Sequence, residues 1–367
     1  MVLKIIEPFH GAVMGRHCGK PVAGGLEIQV RGEAPLRDLV TVNGQPATRA
    51  GSEFSATVTL REMETDVLAV SEGPRGRQEH RVRVVRDRAT RDRYRFAIDD
   101  NIFFLRDIVS LGCSSLFDCF YLRALRDLHR AHGTKFVLNV YFTDGEGFDL
   151  SQFPDRYKGE WRDNADWLRL AFHAHADKPD RPYQYSSKRL SQDFDQVAME
   201  ILRFAGEEAY SPSTLIHWAM VQPGALPTLA ERGVRALSGL FRRRNGGFDG
   251  NYFLDDERSE WMTRHEALKD FETGLVFSKV DLICNSTLPG DIAPALEGIA
   301  SDPHRAGIMD LMTHEQYFWP HYHAHLPDHV KRVETALRWV SEHGYEPVFL
   351  HDGLLGSDPS CANTAQG

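Results

Sequence analysis

The sequence predicts an α/β protein in two parts: a small all-β sandwich over residues 1–90, then a distorted (β/α)7-8 barrel over residues 91–353, with a flexible tail at 354–367. Three observations carry this reading. Length comes first, because 367 residues exceed what one small core needs and suit one ordinary and one larger domain. The second is a change of texture near residue 92. Before it, short runs such as LEIQVRG, LVTVNGQPA, EFSATVTL and HRVRVV alternate apolar and polar residues between Gly, Pro, Asn and Asp turns, the pattern of an antiparallel sandwich. After it, apolar strand-like runs alternate with amphipathic helical segments, the third observation, and repeated strand-helix units imply a parallel sheet.

The strand candidates are RFAIDD, KFVLNVYF, LRLAFHAH, STLIHWAM, VRALSGLF, LVFSKVDLIC, GIMDLMTH and EPVFLHD. Seven or eight units over some 260 residues favour a closed barrel, with a doubly wound sheet as the alternative. Among the helical segments, LFDCFYLRALRDLHRAHG places Leu116, Phe117, Phe120, Tyr121, Leu125 and Leu128 on one face, and Gly133 supplies the stop. SKRLSQDFDQVAMEILRFAG and PDHVKRVETALRWVSEHG follow the same rule.

Composition removes several function classes. Hydrophobic residues at 42% and charged residues at 26% are ordinary globular values, and no uninterrupted apolar stretch of about 18 residues offers a spanning helix. The first residues lack a basic leader and a cleavage site, so a cytoplasmic protein without a membrane partner is expected. A net charge of -9 gives no general attraction to phosphate backbones, so nucleic acid is not expected as a partner; a homo-oligomer is compatible with the sequence. The basic run from Arg81 to Arg95 is interleaved with Val82, Val84 and Val85 and reads as a strand and linker. Five scattered cysteines without a CxxC suggest neither a disulfide framework nor a cysteine zinc site. Histidine is different: there are 17, and eight fall between His304 and His351.

A (β/α) barrel carries its chemistry at the carboxyl ends of its strands. Polar outliers collect there: Asp99 and Asp100 end RFAIDD, His173 and His175 end LRLAFHAH, His217 lies late in STLIHWAM, and His314 ends GIMDLMTH. An Asp pair after a strand also serves as a turn or helix N-cap. Two carboxylates on an apolar strand can instead divide labour, one holding a metal and one taking a proton. His173 and His175, two apart on a strand, present both rings on one face, as zinc sites use them, or as a pair of core histidines; Asp177, four after His173, competes with His175. The run HYHAH (His321, His323, His325) reads as a loop over the cleft, and Asp255-Asp256 as a second acidic site or a plain turn. Aromatic residues are dense in these loops, Trp218, Tyr183 and Tyr317 among them, and suit the apolar faces of sugar rings.

With these residues in place, residues 92–351 resemble the polysaccharide deacetylase (NodB-like) superfamily, metal-dependent carbohydrate esterases on a distorted barrel. The resemblance implies Asp99 as base and Asp100 as metal ligand. In the family's second motif His173 matches the first histidine and Asp177 stands where the second would be, so His175 or Asp177 completes the ligand set. IHWAMVQPGAL resembles the third motif, with His217 and Trp218 where an arginine is expected; MDLMTHEQYF resembles the last, with His314 as acid. The N-terminal part resembles immunoglobulin-like accessory modules. The function implied is removal of an acyl group, N-acetyl above all, from a carbohydrate with a divalent metal, zinc, as cofactor. His217, Trp218, Asp256, Tyr183 and Tyr317 would contact substrate. Two alternatives stand beside it: another carbohydrate-active hydrolase on this barrel, or a carbohydrate-binding protein with a degenerate site.

Overall fold

The computed structural model describes residues 2–353; the expected tail, 354–367, lies outside the described residues. Contacts divide the described residues into two compact units, one of residues 2–90 with Ala267–Glu272, the other of Arg91–Glu266 and Thr273–His351. The segment 267–272 is a departure from the linear boundary: Leu268 bridges Ala12, and the Lys269 amide donates to the Gly11 carbonyl at 2.8 Å.

The first unit is built of two five-stranded sheets. In one, Gly25–Glu33 pairs antiparallel with Glu53–Leu60; in the other, Glu64–Gly73 pairs antiparallel with Gly76–Arg86 over ten residue pairs. Period-two burial explains the alternation of the sequence, since Leu26, Ile28 and Val30 are buried while Gln29 and Arg31 are exposed. The Asn-Gly of LVTVNGQPA does what such pairs do best. Asn43 and Gly44 take φ of 46° and 77° between the paired Val42 and Gln45, a two-residue turn that Cβ-bearing residues other than Asn and Asp resist.

The second unit is a nearly closed barrel of seven parallel strands. We number them β1 Arg93–Asn101, β2 Phe136–Tyr141, β3 Leu168–Ala174, β4 Ser213–Thr214, β5 Ala236–Gly239, β6 Val276–Ile283 and β7 Ile308–His314. Their order around the wall is β3-β2-β1-β7-β6-β5-β4. The chain thus winds in one direction, which disposes of the doubly wound alternative. Closure runs from β4 back to β3. The Leu170 amide donates to Ala209 O and the Ser211 amide to Leu170 O, both at 2.8 Å, and Thr214 Oγ1 donates to the Phe172 carbonyl. Of the eight strand candidates, the last does not enter the wall: Glu346–Pro347 pairs only with the first residues of β1, and a helical turn follows at Leu350–Gly353. STLIHWAM contributes only two strand residues before it turns into a 3-10 helix, His217–Ala219.

Helices follow the strands. Phe120–His132 buries Tyr121, Leu122, Leu125 and Leu128 and stops at Gly133 with φ 70°, as the pattern predicts. The predicted stripe was too long at its start, because Leu116–Asp118 forms a separate capped turn and Phe120 is exposed. No described helix is long and apolar enough to cross a membrane.

Candidate functional site

The site begins with a break in β-geometry. Neighbouring residues of a strand point to opposite faces, so Asp99 and Asp100 could not share a site on a regular β1. Asp100, however, adopts φ 63°, and the pairing of β1 with β2 shifts register between Ile98 and Asn101. The bulge turns both carboxylates to the same rim. Asp tolerates this left-handed backbone because its short side chain bonds locally. The turn is clamped by the neighbouring last strand of the wall: the Glu315 carboxylate, just beyond β7, accepts from the amides of Ile102, Phe103 and Phe104 at 2.6, 2.8 and 2.7 Å. These amides open the helix Phe103–Ser110, whose own N-cap residue offers no side-chain bond.

Asp100 stands at the centre. His173 Nε2 lies 3.0 Å from its Oδ1, His217 Nδ1 lies 3.5 Å from the same oxygen, and the two ring nitrogens are 3.2 Å apart. Among the described residues this is the one group of three with metal-ligand geometry. Each imidazole is oriented from behind by a backbone carbonyl, which can only accept. His173 Nδ1–H points at Leu215 O, and His217 Nε2–H at Asp177 O, 3.2 Å away. The facing nitrogens, His173 Nε2 and His217 Nδ1, both turn toward Asp100: protonated they donate to it, and as neutral rings they aim their lone pairs at one point, the arrangement metal-binding histidines use. Tyr141, at the end of β2, donates to Asp100 Oδ1 and lies 3.0 Å from His217 Nδ1; Gln316 Nε2 donates to Asp100 Oδ2 at 2.7 Å.

Asp99 has different company. It is buried and accepts from Asn139 Nδ2 at 2.6 Å, and Thr214 Oγ1 holds Asn139 in turn at 3.1 Å. Its register partner on β7 is His314, whose Nδ1 lies 2.9 Å from the Asn285 side-chain oxygen. The two carboxyls are pushed apart in acidity. Burial raises Asp99 above the ordinary carboxylate range against the pull of His173 and His314. Burial works on Asp100 too, but hydrogen bonds to His173 and His217 overcome it and hold that carboxyl well below the range. One member of the pair is thus kept as an anion and the other as a better proton acceptor.

Of the expected residues, Asp99, Asp100, His173 and His314 come together. His217, read as a substrate contact, stands with Asp100 and His173 in the group of three that could hold a metal ion. His175 does not: β3 ends at Ala174, a register shift against Tyr141 breaks the alternation that paired it with His173, and its ring stacks on Phe142 with Asp193 3.9 Å away. Asp177 contributes its carbonyl rather than its carboxylate, which is 60% exposed and 3.9 Å from His217. Tyr183 is fully buried, donating to Asp193 and accepting from the His175 amide. Asp256 is an exposed first-turn residue of the helix Asp256–Arg264, whose N-cap is Asp255, and it lies in neither cluster. Trp218 is 38% exposed with the Arg181 guanidinium 4.8 Å from its ring, and Tyr317 lies 6.1 Å from the His314 ring; both remain available at the rim. Tyr141, Asn139, Asn285, Glu315 and Gln316 were missed. The one trait they share is a polar side chain within or just beyond an apolar strand, and that trait alone does not single them out.

No family model matches the chain, and no curated protein matches it. Solved structures similar to it include a 4-alpha-glucanotransferase from Thermococcus litoralis, with 11% identity and TM-score 0.46 over 72% of this chain and 40% of that one. A protein described as a polysaccharide deacetylase of O-antigen biosynthesis from Bordetella bronchiseptica aligns with 12% identity and TM-score 0.34 over 69% of this chain and 91% of its own. A xyloglucanase from Bacteroides ovatus aligns with 9% identity and TM-score 0.27 over 92% of this chain and 100% of its own. At such values the function has to be argued from the site's own geometry.

Proposed function

We propose that the chain is a metal-dependent hydrolase that removes an acyl group, N-acetyl in the first instance, from a carbohydrate. The observation that carries the proposal is the division of two adjacent carboxylates, Asp100 facing two oriented imidazoles and Asp99 facing His314. The donor set fits a divalent ion. A tetrahedron with zinc–nitrogen and zinc–oxygen bonds of about 2.0–2.1 Å has edges of about 3.3 Å. The edges here are 3.0, 3.2 and 3.5 Å.

Asp100, His173 and His217 would hold the ion. When bound, zinc lowers the pKa of a water molecule and polarises the acyl carbonyl. The chain's own residues do the rest. Asp99 accepts a proton from the attacking water, fixed in place by Asn139. As the C–N bond breaks, His314 gives its Nε2 proton to the departing nitrogen; Asn285, accepting from Nδ1, keeps that nitrogen facing inward. Water is consumed and the products are a carboxylic acid and a free amine. Trp218 and Tyr317 offer the faces against which a sugar ring lies.

The test is acetate release from N-acetylated amino-sugar oligomers by protein loaded with zinc and by protein stripped of metal. Release that depends on metal and disappears in Asp100→Ala supports the reading. Undiminished release from stripped protein or from Asp100→Ala overturns it, as does the appearance of new reducing ends without acetate.

A further inference from the structure

We propose that Gln316 makes the enzyme selective for amides over esters, its side-chain oxygen receiving the N–H of the acylated amino group. This deepens the hydrolase reading above and rests on it. Gln316 lies in the short 3-10 turn Glu315–Phe318 directly after β7, two residues beyond His314. Its orientation is fixed: Nε2 donates to Asp100 Oδ2 at 2.7 Å, and the opposite flip would press an amide oxygen against a carboxylate oxygen, two acceptors without a hydrogen between them.

That leaves Oε1 committed to the other direction, where it is buried and has no hydrogen-bond partner. The contrast with its surroundings is sharp. Both Asp100 oxygens, both His173 nitrogens, Asn139 and Asn285 are all bonded. A buried acceptor without a donor costs stability in the free protein and is kept where something else supplies the donor. The ion is not that partner. Gln316 engages Oδ2, while the two imidazoles converge on Oδ1, so the amide stands on the outer side of the carboxylate, and zinc favours nitrogen, sulfur and carboxylate donors.

What remains is the substrate. An N-acylated amino sugar carries one N–H at the bond to be cut; an O-acylated sugar carries no donor at that position. A contact to Oε1 would therefore be made by the amide alone, and a site built around such a contact discriminates against the analogue that lacks it. The same contact orients the nitrogen, turning its developing lone pair away from Gln316 for protonation.

The experiment compares kcat/KM for matched N-acetyl and O-acetyl sugars in zinc-loaded wild type, Gln316→Met and Gln316→Glu. Loss of the Asp100 contact slows both substrates, so the ratio is the readout. It should fall roughly ten- to hundredfold in Gln316→Met and be retained in Gln316→Glu, whose carboxyl, sharing a proton with Asp100 Oδ2, keeps its other oxygen as the acceptor. Circular dichroism and zinc affinity by equilibrium dialysis monitor the fold and the centre, and the Glu variant reports if the Met variant does not fold. Equal slowing of amide and ester in Gln316→Met, or loss of the ratio in Gln316→Glu, overturns the proposal and leaves the hydrolase reading standing. Hydrolysis of neither substrate by wild type overturns both.

Discussion

Two clusters of charge lie inside the same barrel and follow opposite rules. At mid-strand, Arg95 of β1 is ion-paired with Asp310 of β7, and Ser238 of β5 donates to the second Asp310 oxygen at 2.6 Å. Positive meets negative, though two guanidinium nitrogens find no acceptor. Four residues further along β1, two carboxylates stand side by side among imidazoles, with possible ligand atoms of Asp100, His173 and His217 gathered together. The first cluster cancels itself and joins strands. The second sets two carboxylates against imidazoles that can also serve as ligands, and in the proposed function a cation and substrate complete it. Burial of charge alone therefore says little; the balance within the cluster separates architecture from chemistry.

The comparison can be broken from either side. Asp99→Asn, which keeps shape but not basicity, should lower acetate release roughly 10²- to 10⁴-fold with the unfolding midpoint almost unmoved, a pairing of kinetics with denaturation that a structural role would reverse. Arg95→Met should do the opposite: a buried Asp310 without its partner costs about 3–5 kcal/mol in urea unfolding, largely recovered in Arg95→Met/Asp310→Leu. Zinc supplied at a hundred times its dissociation constant should stabilise the wild type by about 2.7 kcal/mol, visible as a rise in Tm that a chelator removes and Asp100→Ala never shows.

The smallest effect concerns His329, which lies behind the site, 3.0 Å from Thr313 Oγ1. Burial, then the charge of Arg332, pushes this imidazole down to about 3. The unfolded chain takes up a proton below its ordinary value of 6.5 and the folded chain does not, so His329 favours the fold fully above pH 6.5 and progressively less toward pH 3. Between pH 8 and 5 the loss should be about 2 kcal/mol, and a urea series on His329→Gln should give a flatter pH profile.

How much could be read in the sequence follows from the same physics. Apolar strands with polar ends are legible because strand burial is written residue by residue, so β1, β3 and β7 and the residues Asp99, Asp100, His173 and His314 were visible. That His217, and neither His175 nor Asp177, would stand with His173 and Asp100 was not. Alternation predicts a shared face only along a regular strand, and β3 is out of register with β2 by the time it reaches His175. Tyr141, Asn139 and Gln316 are common residue types whose meaning comes from convergence, since no spacing within β2 announces that Tyr141 will meet an aspartate from β1. Similarly, the candidate eighth strand was judged by composition, but Glu346–Pro347 reaches only the first residues of β1.

The clamp from Glu315 to the Ile102 amide spans 213 residues. Closing so long a loop is slow, because its entropy must be lost before the contact returns anything. The Asp99-Asp100 bulge is made early in synthesis, yet its fastening arrives with the last strand of the barrel. A nascent chain lacking that strand has no Glu315 for the first helix, no His314 and no Gln316. The proposed site and the barrel are therefore completed together.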